Sequence, residues 1–390
     1  VNVNDGCVMN SEETKTTTTT SFGIIQSTME GLIPTTITQC PETFMDYSEI
    51  DTDRDLHGKV ESMVTKRLDN SIGNIKEQDK ILETIAGTLW NPAQAEGKYF
   101  LANLIWENTF HIIYEWEQNH PGQRVHKGTG YYFWAVTCIQ AGALEKGFLL
   151  MHQALEEDKN SYGVPDPPTP AHAFVTLNHK KKSQYFRDKV MQVAQFVDEK
   201  LIEYRSERGM VLSFSDFRAK FLKNKTLQEE VFSFVYEAFH LRVLSTDIHQ
   251  NLTHNTFGSL SQTKTLLSLC LIIENVIALK NPKKRQFSDH IIFLCNQAGL
   301  SLNINKVKEQ LNHEGFKKDF PGTLQKIIDS KYTFLDGSPL LLIEGDLAIT
   351  YGFRNFGAHR LEDQPIIYKR FAEFVQKILN VLFFSIEKLY

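Results

Sequence analysis

Within residues 97–119, Tyr99, Phe100, Leu104, Ile105, Phe110, Ile113, Tyr114 and Trp116 recur at steps of three and four. On an α-helix that spacing gathers the side chains onto one face. The period starts near Leu56 and returns in both halves of the chain. Nowhere does the chain sustain the period-two alternation of a half-buried strand. The expected fold class is therefore all-α. Further helices are predicted over residues 130–141, 144–157, 184–204, 229–241, 262–279, 287–298 and 366–389, closed by breakers such as Pro121-Gly122.

The breaks also divide the chain. Residues 1–50 are rich in Thr and Ser, with a low-complexity run from Thr16 to Thr20. Such a stretch buries little apolar surface, and a flexible arm is expected. Residues 55–205 read as a first helical domain, interrupted by a loop carrying Pro165, Pro167, Pro168 and Pro170. Residues 226–390 read as a second helical domain.

Composition excludes several classes. The formal net charge is −5, so any nucleic-acid contact must rest on local basic patches. The five cysteines are scattered and none forms a C-x-x-C pair, which gives neither a disulfide framework nor a zinc signal. Cys138, Cys270 and Cys295 lie in apolar runs and are expected as small core residues. No window reaches the length of a membrane span, and no basic region followed by an apolar core opens the chain. A cytoplasmic protein with no membrane contact is expected.

The hairpin formed by 130–141 and 144–157 carries small residues at fixed offsets: Gly142 at the turn, Gly147 five residues on and Ala154 seven further. Tyr131, Trp134 and Cys138 fall on the packing side of the first helix. The pattern resembles one tetratricopeptide repeat, with Lys159 where that family often has proline. The resemblance implies a repeat-like surface for a protein partner or antitoxin.

The chemistry concentrates near the C-terminus, in Arg354-Asn355-Phe356-Gly357-Ala358-His359. Residues five apart on an unbroken helix point about 140° away from each other. Gly357 can end the helix and bring His359 round toward Arg354. Arginine offers phosphate oxygens a planar, permanently charged fork. Histidine is the side chain whose ordinary pKa lies nearest neutrality. Asn355 can hydrogen-bond a phosphate or orient the imidazole.

Arg354, Asn355 and His359 resemble the signature of the HEPN superfamily, an Arg often followed by Asn and then a His four to six residues on. The resemblance extends over about 160 residues and implies a C-terminal helical bundle with metal-independent endoribonuclease activity. It further implies RNA as substrate, a toxin or antiviral-defence role, no cofactor, no metal, and a homodimer that brings two Arg/His sets into one cleft. Leu361 stands where one branch of the family carries a tyrosine that a partner enzyme modifies, which favours the plain ribonuclease branch.

Weaker candidates surround the motif. Glu274 interrupts an apolar run and could act as a polar helper. Lys283, Lys284 and Arg285 form a short basic cluster that could touch an RNA backbone. Glu344 and Asp346 read as a solvated face, and His111 and His152 as satisfied core histidines. Gly128-Thr129-Gly130 lacks the strand and the lysine of a phosphate loop. The apolar side of the last helix (Phe371, Phe374, Val375, Ile378, Leu382) reads as a surface for a second copy. The alternative to an enzyme is a non-catalytic helical scaffold that binds a protein partner and dimerises through its C-terminal domain.

Overall fold

The computed structural model describes residues 53–164, 167–178, 186–244, 256–300, 319–331, 342–357 and 365–390. The expected arm over residues 1–50 and the catalytic candidate His359 lie outside the described residues. Among the described residues every regular element is helical and no strand occurs. The all-α expectation holds. No helix of the described residues is long and apolar enough to cross a membrane.

The first half comprises α1 (Asp53–Asp69), α2 (Ile75–Ile85), α3 (Tyr99–Asn119), α4 (Gly128–Gln140), α5 (Leu144–Tyr162) and the short α6 (Pro170–Val175). Asn74 caps α2 by accepting the Glu77 amide, and Thr169 caps α6 by accepting that of His172. Helix α5 runs one turn past its expected end at residue 157, and α6 begins inside the segment expected to be a loop. The α4–α5 hairpin turns at Gly142, whose φ of +84° suits a residue without Cβ. The two helices then press together at Gly147: a Cβ there would sit 2.4 Å from Ile139 Cγ1 and 3.1 Å from the Ala135 carbonyl oxygen.

Next come α7 (Arg187–Arg208), the short α8 (Phe214–Phe217), α9 (Gln228–Leu244), α10 (Thr256–Ala278), α11 (Phe287–Gln297), α12 (Phe320–Ile328), α13 (Leu342–Gly352), the short α14 (Pro365–Lys369) and α15 (Phe371–Leu389). A Ser213–Asp216 capping box starts α8. Helix α15 is the hub, touching α7, α10, α11 and α13. The sequence assigns α7 to the first helical domain, yet it packs on α9 and α15 of the second. Helix α9 also contacts α5 and α6, so one continuous apolar cluster runs through both halves.

Two expectations about surfaces fail. Phe374, Val375, Ile378 and Leu382 are each at most 3% exposed within this chain, because α15 is ringed by helices. Phe371 of the same expected face is half-buried, and the face as a whole is not available to a second copy. Glu344 and Asp346, expected on a solvated face, are 6% and 1% exposed. Their helix is apolar on most sides and sinks into the bundle. His111 is the converse case: it is not a core residue, but an exposed side chain paired with Glu115 at 3.1 Å. Cys138, Cys270 and Cys295 are buried as expected, and burial pushes the Cys138 thiol up to about 11.

Candidate functional site

Helix α13 does not end in an ordinary turn. Its last residues pass into a π turn, Phe353–Gly357, that carries the Arg354-Asn355 pair. A π turn inserts an extra residue into the helical ladder and re-aims the side chains around it, a feature common at functional sites. Phe353 anchors it. Its ring is fully buried and meets Phe374 edge-on at 5.1 Å and Phe320 at 6.0 Å. With Phe353 fixed inward, the next two residues emerge at the bundle surface, both half-buried.

The turn rests on α10. From that helix Glu274 accepts a hydrogen bond from Arg354 Nε. The sequence offers Glu274 as a possible polar helper of the Arg354 site, and the structure pairs the two across 80 positions of chain. Glu274 is 14% exposed and Arg354 31%. The pair is therefore less screened than a surface ion pair, and the carboxylate fixes the plane of the guanidinium. Among the described residues Nε is the only guanidinium atom that bonds, so the two Nη groups keep donors for another acceptor. One turn earlier on α10, burial pushes the Cys270 thiol far up, which makes it a packing residue and not a nucleophile.

Asn355 adds a second donor. Its Nδ2 is buried and has no hydrogen-bond partner among the described residues. A buried amide in that state loses the water it had in the unfolded chain, and such groups are rare in folded proteins. Lys283, Lys284 and Arg285 are all exposed, in the turn between α10 and α11.

A second constellation escapes the sequence reading. A cavity of about 560 Å³ lies between α2, the start of α4, the end of α5 and the start of α6. His126 forms part of its wall, with its side chain 2% exposed. Its Nε2 lies 3.4 Å from Asp158 Oδ1 and 3.5 Å from Asp79 Oδ1, and its Nδ1 is 2.8 Å from Ser161 Oγ. The His126 amide donates to Gln78 Oε1 at 2.8 Å, which fixes the backbone as it enters α4. Thr129 donates to Asp79 Oδ1 at 2.9 Å. Burial pushes the Asp79 carboxyl above its ordinary range, against the pull of His126 and of the Thr129 hydroxyl.

Gly128 makes this approach possible. A Cβ there would lie 2.2 Å from Asp158 Oδ1 and 2.8 Å from the His126 ring. The glycines of Gly128-Thr129-Gly130 thus serve close packing, of side chains at Gly128 and of the Phe110 ring at Gly130. The legible signal was a small residue beside a histidine at a helix start. Its partners lie about 30 residues after it and 50 before it, beyond any local pattern.

Among the described residues no group of three or more His, Cys, Asp or Glu could hold a metal ion. Comparison with protein-family models, with curated proteins and with solved structures gives no match.

Proposed function

We propose that the chain is a metal-independent endoribonuclease, acting as a toxin or antiviral-defence effector, whose C-terminal Arg354, Asn355 and His359 cut RNA through its own 2′-hydroxyl. The observation that carries the reading is the pairing of Arg354 with Glu274 at a π turn, which leaves both Nη groups without a partner among the described residues. A helix cap that served only structure would have its donors satisfied by the chain. Here an oriented guanidinium offers its Nη groups at the rim, with Asn355 beside it in the turn, an arrangement suited to stabilising charge that builds on a phosphate. Glu274 positions the arginine. His359, five residues after Arg354, supplies the proton transfer that the reaction needs. The homodimer that the HEPN resemblance implies stays part of the proposal, through a surface other than the buried face of α15.

The test is incubation of the purified chain with total RNA beside an Arg354→Ala/His359→Ala double variant. The parent should cut and the double variant should not. Equal cutting by both removes the proposal, and a parent without activity on any RNA returns the chain to the scaffold reading.

A further inference from the structure

The cavity around His126 belongs to no part of the proposed ribonuclease chemistry, and its walls are chemically one-sided. It is lined by the carboxylates of Asp79, Glu83 and Asp158 and by the aromatic rings of Tyr132, Phe133 and Tyr162. Among the described residues neither lysine nor arginine lines it. An anionic ligand would meet one buried carboxylate, one part-buried carboxylate and one imidazole.

Hydrogen bonding inside the cavity does not close. Asp79 receives the Thr129 hydroxyl at 2.9 Å and the Tyr162 hydroxyl at 3.5 Å. Asp158 is 94% buried by its side chain, and among the described residues it accepts no hydrogen bond. Its one charged neighbour is His126 Nε2 at 3.4 Å, which stands equally near Asp79. One ring nitrogen carries at most one proton and cannot serve both carboxylates. With both carboxylates ionised, one imidazole cannot balance them, and Asp158 lacks a donor among the described residues. A carboxylate left that way is costly to bury, and the deficit marks the cavity for a missing partner.

The partner's chemistry follows from the walls. It must bring N–H donors and positive charge to Asp158 and Asp79. Its body must suit aromatic faces, which attract cations and apolar surface alike. The cavity falls within the range that holds small-molecule ligands, roughly 300–1,000 Å³. Among the described residues these side chains do not gather as a metal-binding group.

We propose that the cavity is a binding site for a small organic cation, an alkylammonium or guanidinium compound, held by Asp158 and Asp79 and enclosed by Tyr132, Phe133 and Tyr162. Gly128 keeps the site open to this role, because any side chain there would fill the space between His126 and Asp158. The proposal is independent of the ribonuclease reading, and each can fail alone.

The test is calorimetric titration of the full chain with agmatine and with benzylamine. Benzyl alcohol and inorganic phosphate serve as neutral and anionic controls. At least one cation should bind saturably at a single site with a Kd of about 1 mM or tighter, and neither control should bind. Asp79→Asn, which keeps an acceptor for Thr129, should weaken the cation about tenfold or more, as should Asp158→Asn. Circular dichroism checks that each variant is folded, and Asp79→Asn alone decides the matter if Asp158→Asn does not fold. Absence of saturation by both cations, binding of benzyl alcohol as tight as that of benzylamine, or undiminished binding by folded Asp79→Asn overturns the proposal.

Discussion

Arg208, at the end of α7, holds Asp346 of α13 with two parallel hydrogen bonds, Nε to Oδ2 at 2.6 Å and Nη2 to Oδ1 at 3.0 Å. Both side chains are at most 4% exposed. Asn380 of α15 donates to the same carboxylate at 2.8 Å, and Gln376 donates to Asn380 at 2.7 Å. One buried carboxylate therefore ties together three helices. Breaking a buried pair by removing one partner costs about 3–5 kcal/mol when the other charge is left without compensation; here Asn380 and Lys377 Nζ, 3.8 Å from Oδ1, stay beside Asp346 and hold the cost toward the lower end. Arg208→Ala should lose stability of that order in urea unfolding. Replacing both residues by apolar ones of similar size should cost much less than the sum of the single changes. A loss under about 1 kcal/mol for Arg208→Ala would mean that the pair braces nothing.

Gly147 gives a sharper steric prediction. Its missing Cβ leaves room for Ile139 Cγ1 and the Ala135 backbone. Gly147→Ala should cost about 1–3 kcal/mol through overpacking, despite the better helix propensity of alanine. Shortening the obstacle with Ile139→Ala in the same chain should return part of the loss. Thermal melts of the two single variants and the double variant measure the coupling, and additive losses would contradict the contact.

Most of this architecture was legible, for identifiable reasons. Helix positions follow from three- and four-residue spacing, and α10, α11 and α15 fall within a few residues of their predicted spans apart from the earlier start of α10. The break at Arg370 was not foreseen, since the apolar period continues through it. Asp346 was misread because a charged residue in an amphipathic pattern ordinarily faces water, and its partners Arg208 and Asn380 lie 138 and 34 positions away. The motif at Arg354 was legible as a local string. Its pairing with Glu274 and its π turn were not, because neither leaves a periodic signal. The His126 cavity was hidden for the same reason.

Asp79 makes stability depend on pH in a defined direction. Burial raises its carboxyl above the ordinary range, so the folded chain binds that proton more tightly than the unfolded chain. The stabilisation is fully present in acid, below the unfolded value, and is lost as pH rises through the folded value. Asp79→Asn removes that loss. The stability of the variant relative to the parent should therefore climb from acid toward neutral pH, and melts across a pH series measure it. A difference that stays flat or falls would show that His126 and Thr129 outweigh burial. A residue whose replacement removes a pH-dependent cost from the empty protein while weakening a cation behaves as a binding group and not as a brace.

The last prediction concerns the reaction proposed at the π turn. Arg354 Nη groups would meet the phosphate oxygens, with Glu274 holding the guanidinium from behind and Asn355 beside it in the turn. Removing one such donor typically slows a reaction by about 10²–10³, so Arg354→Ala should cut RNA at that fraction of the parent rate. Loss of acid–base catalysis costs about 10²–10⁴, which sets the expectation for His359→Ala. Glu274→Gln should fall between these variants and the parent, because it frees the arginine without removing it. Arg354 is part-exposed at a helix end, and circular dichroism of Arg354→Ala should match the parent. Attack by the 2′-hydroxyl leaves 2′,3′-cyclic phosphate and 5′-hydroxyl ends, which end-labelling distinguishes from the products of water attack. A chelator should leave the rate unchanged, since the proposed base is an imidazole and the proposed charge-stabilising groups are N–H donors. Cleavage that needs added Mg²⁺ or Mn²⁺, products with 3′-hydroxyl ends, or a Glu274→Gln variant slower than Arg354→Ala would each place the chemistry elsewhere.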